Sequence, residues 1–342
     1  MLDVSLRMVT AYERGEKQPG PQTLQRMSRT LKFHPAFFSG DDLDEPPTDG
    51  TSFRALSNMT ARQRDQALGS ATLALALSDW IDERFALPLP DVPQYQGVDP
   101  ATAAIAVRSE WSLGERPIKN MSDTLEARGV RVFSLAEECR AVDAFSFWRG
   151  DRPYVFLNTM KSGEHGRMDG AHELAHLVLH WKGTAHGRTA EHEAAQFASE
   201  FLMPKGSVLA EAPRGGHYQQ LIVAKRKWRV SLAALTYRMH ALGLLSDWQY
   251  RSLFVEMGKK GARTNEPNGI VAETSQVLTK VFQALRDEGI SHSDVASELQ
   301  IPLDDLARLI FGLVLTPLGE TTDEITRSKE HEPSARPQLR LV

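Results

Sequence analysis

The chain reads as an α+β protein, mostly helical, with one small antiparallel sheet. Three observations predict this. Apolar residues recur at helical spacing over most of its length, and three short β-rich runs fall close together between residues 129 and 157. Shortly after them comes an Ala/Leu-rich stretch of helical character, Ala171-His172-Glu173-Leu174-Ala175-His176-Leu177-Val178-Leu179-His180.

With 342 residues and 41% hydrophobic content, the chain is long enough for two or three domains. No apolar run reaches the roughly 18 residues of a membrane span, and the N-terminus lacks the order of a signal peptide, so a cytoplasmic protein is expected. The single cysteine, Cys139, excludes an intrachain disulfide and is expected to be an ordinary, partly buried thiol. A net charge of -4 argues against general polyanion binding and leaves any nucleic-acid reading to local basic stretches.

Residues 1–40 hold a short helix from Ser5 that Gly15 stops, a turn through Pro19-Gly20-Pro21, and a second helix from Gln22 to Leu31. Residues 41–98 begin as an acidic, Pro-containing linker. They continue as a long helix that opens on a Thr60/Gln63 capping box and carries Leu73, Leu77, Trp80 and Ile81 at helical spacing. That helix is expected to pack within the chain, with pairing in a homodimer as the alternative.

Residues 99–210 form a unit of two helices, Ala103 to Trp111 and Ile118 to Arg128, and three strands, Gly129 to Leu135, Ala144 to Trp148 and Pro153 to Leu157. The motif helix and another from Thr189 to Leu202 complete it. Phe145, Phe147 and Trp148 are expected in the core rather than along a substrate groove. Residues 211–263 are basic, with helices Tyr218 to Trp228 and Ser231 to Leu242, Gly243 as a stop, and a further helix from Ser246. Their cations are expected to be mostly solvated.

After a linker from Thr264 to Asn268, residues 269–318 read as a bundle of three helices. Asp304 and Asp305 at the start of the third favour protein over DNA contact. Residues 319–342 are charged and Pro-containing, the composition of a disordered tail.

The chemistry resides in His172-Glu173-x-x-His176. On a helix of 3.6 residues per turn the two imidazoles stack on one face and can both reach a divalent metal. Glu173, about 100° around the axis, points to where an activated water would lie. A catalytic zinc site needs a third protein ligand and an open position. The following helix offers Glu191 and Glu193, which flank its apolar face on opposite sides, and Glu200 near Glu193; the helical wheel leaves the choice open. His180 repeats the four-residue spacing but falls at the helix end, where capping or a role behind the ligands is expected. Of His165, His186 and His192, most are expected at the surface, with stabilisation of an oxyanion by one of them as the alternative.

His172 to His176, Glu193-Ala194-x-x-Phe197-Ala198 and Leu202-Met203-Pro204 together resemble the ImmA/IrrE family of metallopeptidases. The resemblance spans roughly residues 100 to 265. It implies a zincin-like, zinc-dependent endopeptidase whose ligands are His172, His176 and Glu193 and whose general base is Glu173; nitrogen and carboxylate ligands of this kind also accept manganese. It also implies a specific substrate, commonly an Xre-family repressor, cut in response to stress or DNA damage. Residues 211–263 resemble the helix-turn-helix-like module that follows the peptidase in that family.

Tyr12-Glu13-Arg14-Gly15 and Pro19 resemble the end of a Cro/Xre-type recognition helix, which would set Ser5, Arg7, Met8 and Thr10 at or near a major groove. Only the second half of such a domain is matched, so weak sequence-specific DNA binding is expected. A competing reading is a DNA-binding transcriptional regulator whose metal domain is a sensor or structural element. Glu173 favours catalysis, because a structural site needs no general base and is usually closed by four ligands.

Overall fold

The computed structural model describes residues 4–47, 60–135, 143–181 and 187–314. Cys139, His186 and the tail expected to be disordered lie outside the described residues.

The sheet comprises β1 (Arg131–Ser134), β2 (Ala144–Arg149) and β3 (Arg152–Leu157) in the order β1-β3-β2. The expectation of an antiparallel sheet needs correction: β2 and β3 are antiparallel, but β1 runs parallel to β3. The two residues between β2 and β3, with Gly150 at φ +61°, force a hairpin. Pro153 to Leu157 is a continuous apolar run buried along its length, as a central strand requires, so β1 takes the remaining edge of β3.

Alternation assigns the two faces of this sheet. Phe145 and Phe147 of β2 lie opposite Phe156 and Tyr154 of β3, all four fully buried, with the Phe145 and Phe156 rings stacked at 4.6 Å. Helix α3 (Ala61–Arg84) covers this face, where Tyr154 Oη donates to Ser78 Oγ at 3.2 Å. The capping box of Thr60 and Gln63 forms as its sequence indicates. Ala67, Ala71, Ala74, Leu75, Leu77, Trp80 and Ile81 are all buried, so the long helix packs within its own chain. Asp82 pairs with Arg131 and Arg152, which fixes α3 to the strands at their ends. Ahead of it, α1 (Leu6–Glu13) and α2 (Pro21–Leu31) bury no residue completely; a short 3-10 turn, Pro35–Ser39, follows and escaped the sequence reading.

The opposite face, with Ala144, Ser146 and Trp148, meets α6 (Gly163–Leu179), the motif helix. Around it pack α4 (Pro100–Glu110), α5 (Met121–Glu126) and α7 (Arg188–Leu202). Leu202-Met203-Pro204 leads into α8 (Lys205–Glu211), also unforeseen. Next come α9 (Tyr218–Trp228), α10 (Leu232–Ala241) and α11 (Asp247–Lys259), with Gly243 at φ +73° after α10.

Two of the expected solvated cations are buried instead. Lys225 Nζ sits 2.9 Å from both Glu164 and Glu266, and Arg238 pairs with Glu200 while donating to the Met203 carbonyl at 3.0 Å. The basic segment is thus bound to the two helices α6 and α7 through charges that have left water, which requires such partners.

Helices α12 (Gln276–Asp287), α13 (His292–Glu298) and α14 (Leu303–Ile310) attach by an exchange of caps. Glu273, just before α12, accepts from the Met121 and Ser122 amides at 2.7 and 3.1 Å at the start of α5. Glu126, at the end of α5, accepts from Ser275 Oγ and from the Gln276 and Val277 amides at 2.9 and 3.1 Å.

Burial lifts Glu126 to about 7 against these three bonds, from an ordinary value of 4.5. Between those values the folded chain holds a proton that the unfolded chain has released, so this group's contribution to stability falls as pH rises and is level above about 7. Glu126→Gln should flatten that slope. Thermal melts at pH 5 and 8 should show wild type losing more stability across the interval than the variant.

Candidate metal centre

One face of α6 gathers the polar side chains nearest to α7. It carries His165, Asp169, His172, Glu173 and His176, with His180 as the C-cap. The Nε2 atoms of His172 and His176 lie 3.2 Å apart. Ligand atoms of His172, Glu173 and His176 all fall within 4.8 Å of one another.

From α7, Glu191 reaches this pair: one carboxylate oxygen is 3.3 Å from His172 Nε2 and the other 3.7 Å from His176 Nε2. Glu193, expected as the third ligand, is turned instead onto His180 Nε2 at 2.8 Å. Two residues on a helix differ by about 200° in direction, so the two carboxylates cannot serve one point with similar geometry. Glu200 is committed elsewhere, accepting from the Lys205 amide at 2.8 Å and pairing with Arg238.

Glu173 is buried, 3% exposed, and its Oε2 accepts from Ser146 Oγ at 2.6 Å. Ser146 was missed in the sequence, although a signal existed. It is the polar position of β2 on the face opposite Phe145 and Phe147, the face that an adjoining helix must cover. Trp148, two residues on, donates its indole N–H to the Leu177 carbonyl at 3.1 Å, and the Tyr95 amide donates to the Val178 carbonyl at 2.8 Å. Two carbonyls of the last turn of α6 are thereby satisfied, and the helix is held against β2. Phe145 and Phe147 are core residues, as expected.

Opposing influences act on the charges of the group. Burial opposes charge on His172, but the Glu191 hydrogen bond and the negative charges of Glu173, Glu191 and Asp169 outweigh it and raise its pKa. Burial, reinforced by His172 and His180, holds His176 well below the ordinary imidazole value. Asp169 is pushed up to about 7 by burial, with the Glu173 charge adding to the effect. Two imidazole nitrogens with a carboxylate, surrounded by surplus acid, are a donor set that fits a catalytic divalent metal.

The other residues singled out in the sequence lie away from this group or behind it. His165 and His192 are exposed, as expected. His180 caps α6, its amide donating to the His176 carbonyl at 3.0 Å, and its ring is buried beside His176. On α1, Ser5 Oγ accepts from the Met8 amide at 3.3 Å as the N-cap, and Thr10 Oγ1 donates to the Leu6 carbonyl at 3.2 Å. Ser5 and Arg7 are exposed, and Met8 and Thr10 half-buried.

Ser146→Ala removes the partner that orients Glu173 but leaves its charge, so the expected result is a loss of roughly tenfold in hydrolytic rate with metal content retained. Steady-state kinetics beside metal analysis would check this; equal rates would mean that Ser146 only fills space.

A peptidase family model described as the IrrE N-terminal-like domain matches residues 125–240, a span that contains the sheet and both helices of the site and ends within α10. No curated protein matches the chain. Over that span the match supports a metallopeptidase domain.

Proposed function

We propose that the chain is a zinc-dependent endopeptidase that cleaves a specific repressor protein, of the Xre type, in a stress or DNA-damage response. The observation that carries the catalytic part is the convergence of His172, His176 and Glu191 beside a buried Glu173. The substrate and its setting rest on the family resemblance, and manganese is the metal to test beside zinc.

His172, His176 and Glu191 would hold a divalent ion, which would supply Lewis-acid chemistry for amide hydrolysis. Glu173 takes a proton from the attacking water and returns it to the leaving amine, while Ser146 fixes the carboxylate's orientation. Strand β2, on the outer side of the sheet and next to α6, offers its edge to an extended peptide through main-chain hydrogen bonds. For the third ligand the geometry favours Glu191, where the resemblance points to Glu193.

The test combines elemental analysis of the purified chain with digestion of candidate repressors before and after chelation. Near one metal per chain and cleavage that chelation abolishes and metal restores are expected. Retained zinc with no cleavage of any candidate would favour the sensor reading instead.

A further inference from the structure

The four-residue repeat of histidines does not end with the two ligands, and Glu193 does not face them. We infer that Glu193, His180 and His176 form a hydrogen-bonded relay that fixes the tautomer of His176 and leaves its Nε2 lone pair directed at the metal centre. His180 and Glu193 are then positioning residues.

The relay follows from donor and acceptor counting. An ionised carboxylate only accepts, so at 2.8 Å from Glu193 Oε2 the donor is His180 Nε2. A neutral imidazole carries one N–H, which makes His180 Nδ1 an acceptor. The atom 2.9 Å from it is His176 Nδ1, which therefore donates. His176 Nε2 is left without a proton, 3.2 Å from His172 Nε2 and 3.7 Å from Glu191 Oε1.

The three groups come from two elements that pack closely, α6 with its cap and α7. The rings of His176 and His180 lie 5.0 Å apart, and both are buried, 8% and 7% exposed, so water offers little competition for the bond between them, while the Glu193 carboxylate that anchors the relay is partly exposed. A carboxylate behind a histidine ligand is a known way to raise ligand basicity and fix ring orientation; here a second imidazole extends that link by one residue.

The tautomer stands independently of the proposed function, whereas its effect on metal affinity rests on it. Long-range nitrogen–proton correlation spectra of the full-length, metal-free chain labelled in its histidines read the tautomer directly. His176 should be the Nδ1–H form in wild type and in Glu193→Gln, which keeps an acceptor oxygen, and should become mixed in Glu193→Leu and His180→Phe.

Zinc competition against a chelator gives the second readout. Glu193→Leu and His180→Phe should each weaken binding about 10–100-fold. Their combination should be little worse than either alone, because both break one relay. Glu193→Gln should stay near wild type.

An Nε2–H tautomer of His176 in wild type would mean that His180 donates from both nitrogens, and would overturn the relay. So would a Glu193→Gln variant that binds zinc no better than Glu193→Leu, since that is the behaviour of a direct ligand. A wild-type chain with the expected tautomer and no zinc affinity would sustain the relay and remove the metallopeptidase reading.

Discussion

Glu173→Gln should lower cleavage of a protein substrate by about two to four orders of magnitude, the span that follows removal of a positioned general base. Glutamine keeps the size of the side chain and an oxygen for Ser146, which donates to Glu173 Oε2 at 2.6 Å in the wild type. What it removes is proton affinity. The fold should be unchanged in far-ultraviolet circular dichroism, and metal content should match the wild type, because the nitrogen and carboxylate donors of His172, His176 and Glu191 remain. Turnover of a candidate repressor, measured beside elemental analysis, separates the possible roles. Undiminished turnover would dismiss Glu173 as the base. Loss of the metal would make Glu173 a ligand, a placement its proximity to both histidines makes worth testing.

How much of this site could be read in advance depended on whether the information was local. The i, i+4 pair His172 and His176 and the intervening Glu173 are set by helical geometry alone, and the helix bears them as expected. The capping box at Thr60 and Gln63 and the stop at Gly243 are likewise short-range, and both occur where the sequence places them. The strands were found from their apolar runs, but their direction was not, because the parallel pairing of β1 with β3 depends on which edge remains after the β2–β3 hairpin closes. Ser146 is invisible until β2 is laid on α6. The buried Lys225 and the caps exchanged by Glu126 and Glu273 join residues about 40 to 150 positions apart in the chain, and no spacing rule reaches that far. The choice between Glu191 and Glu193 belongs to the same class: the wheel places them on opposite sides of an apolar face, and only the crossing of α6 and α7 decides which side meets the histidines.

Alanine at His172 or His176 should reduce metal content from near one per chain to near zero, since two remaining donors do not make a tight site. Among the carboxylates the expected order is Glu191→Ala well below Glu193→Gln. Glu191 is the acid set 3.3 and 3.7 Å from the two imidazole nitrogens, so its removal takes away a donor atom. Glu193 touches the pair only through His180, and outer partners of that kind cost about 10–100-fold in affinity when lost outright. Glu191→Ala should therefore exceed that range, while Glu193→Gln, which keeps an acceptor for His180, should fall short of it. Titration with zinc against a competing chelator, on variants with wild-type melting behaviour, ranks them. A larger loss at Glu193→Gln than at Glu191→Ala would return the third ligand to Glu193, as the family resemblance implies. It would also mean that α7 must turn or its side chains exchange places when metal binds.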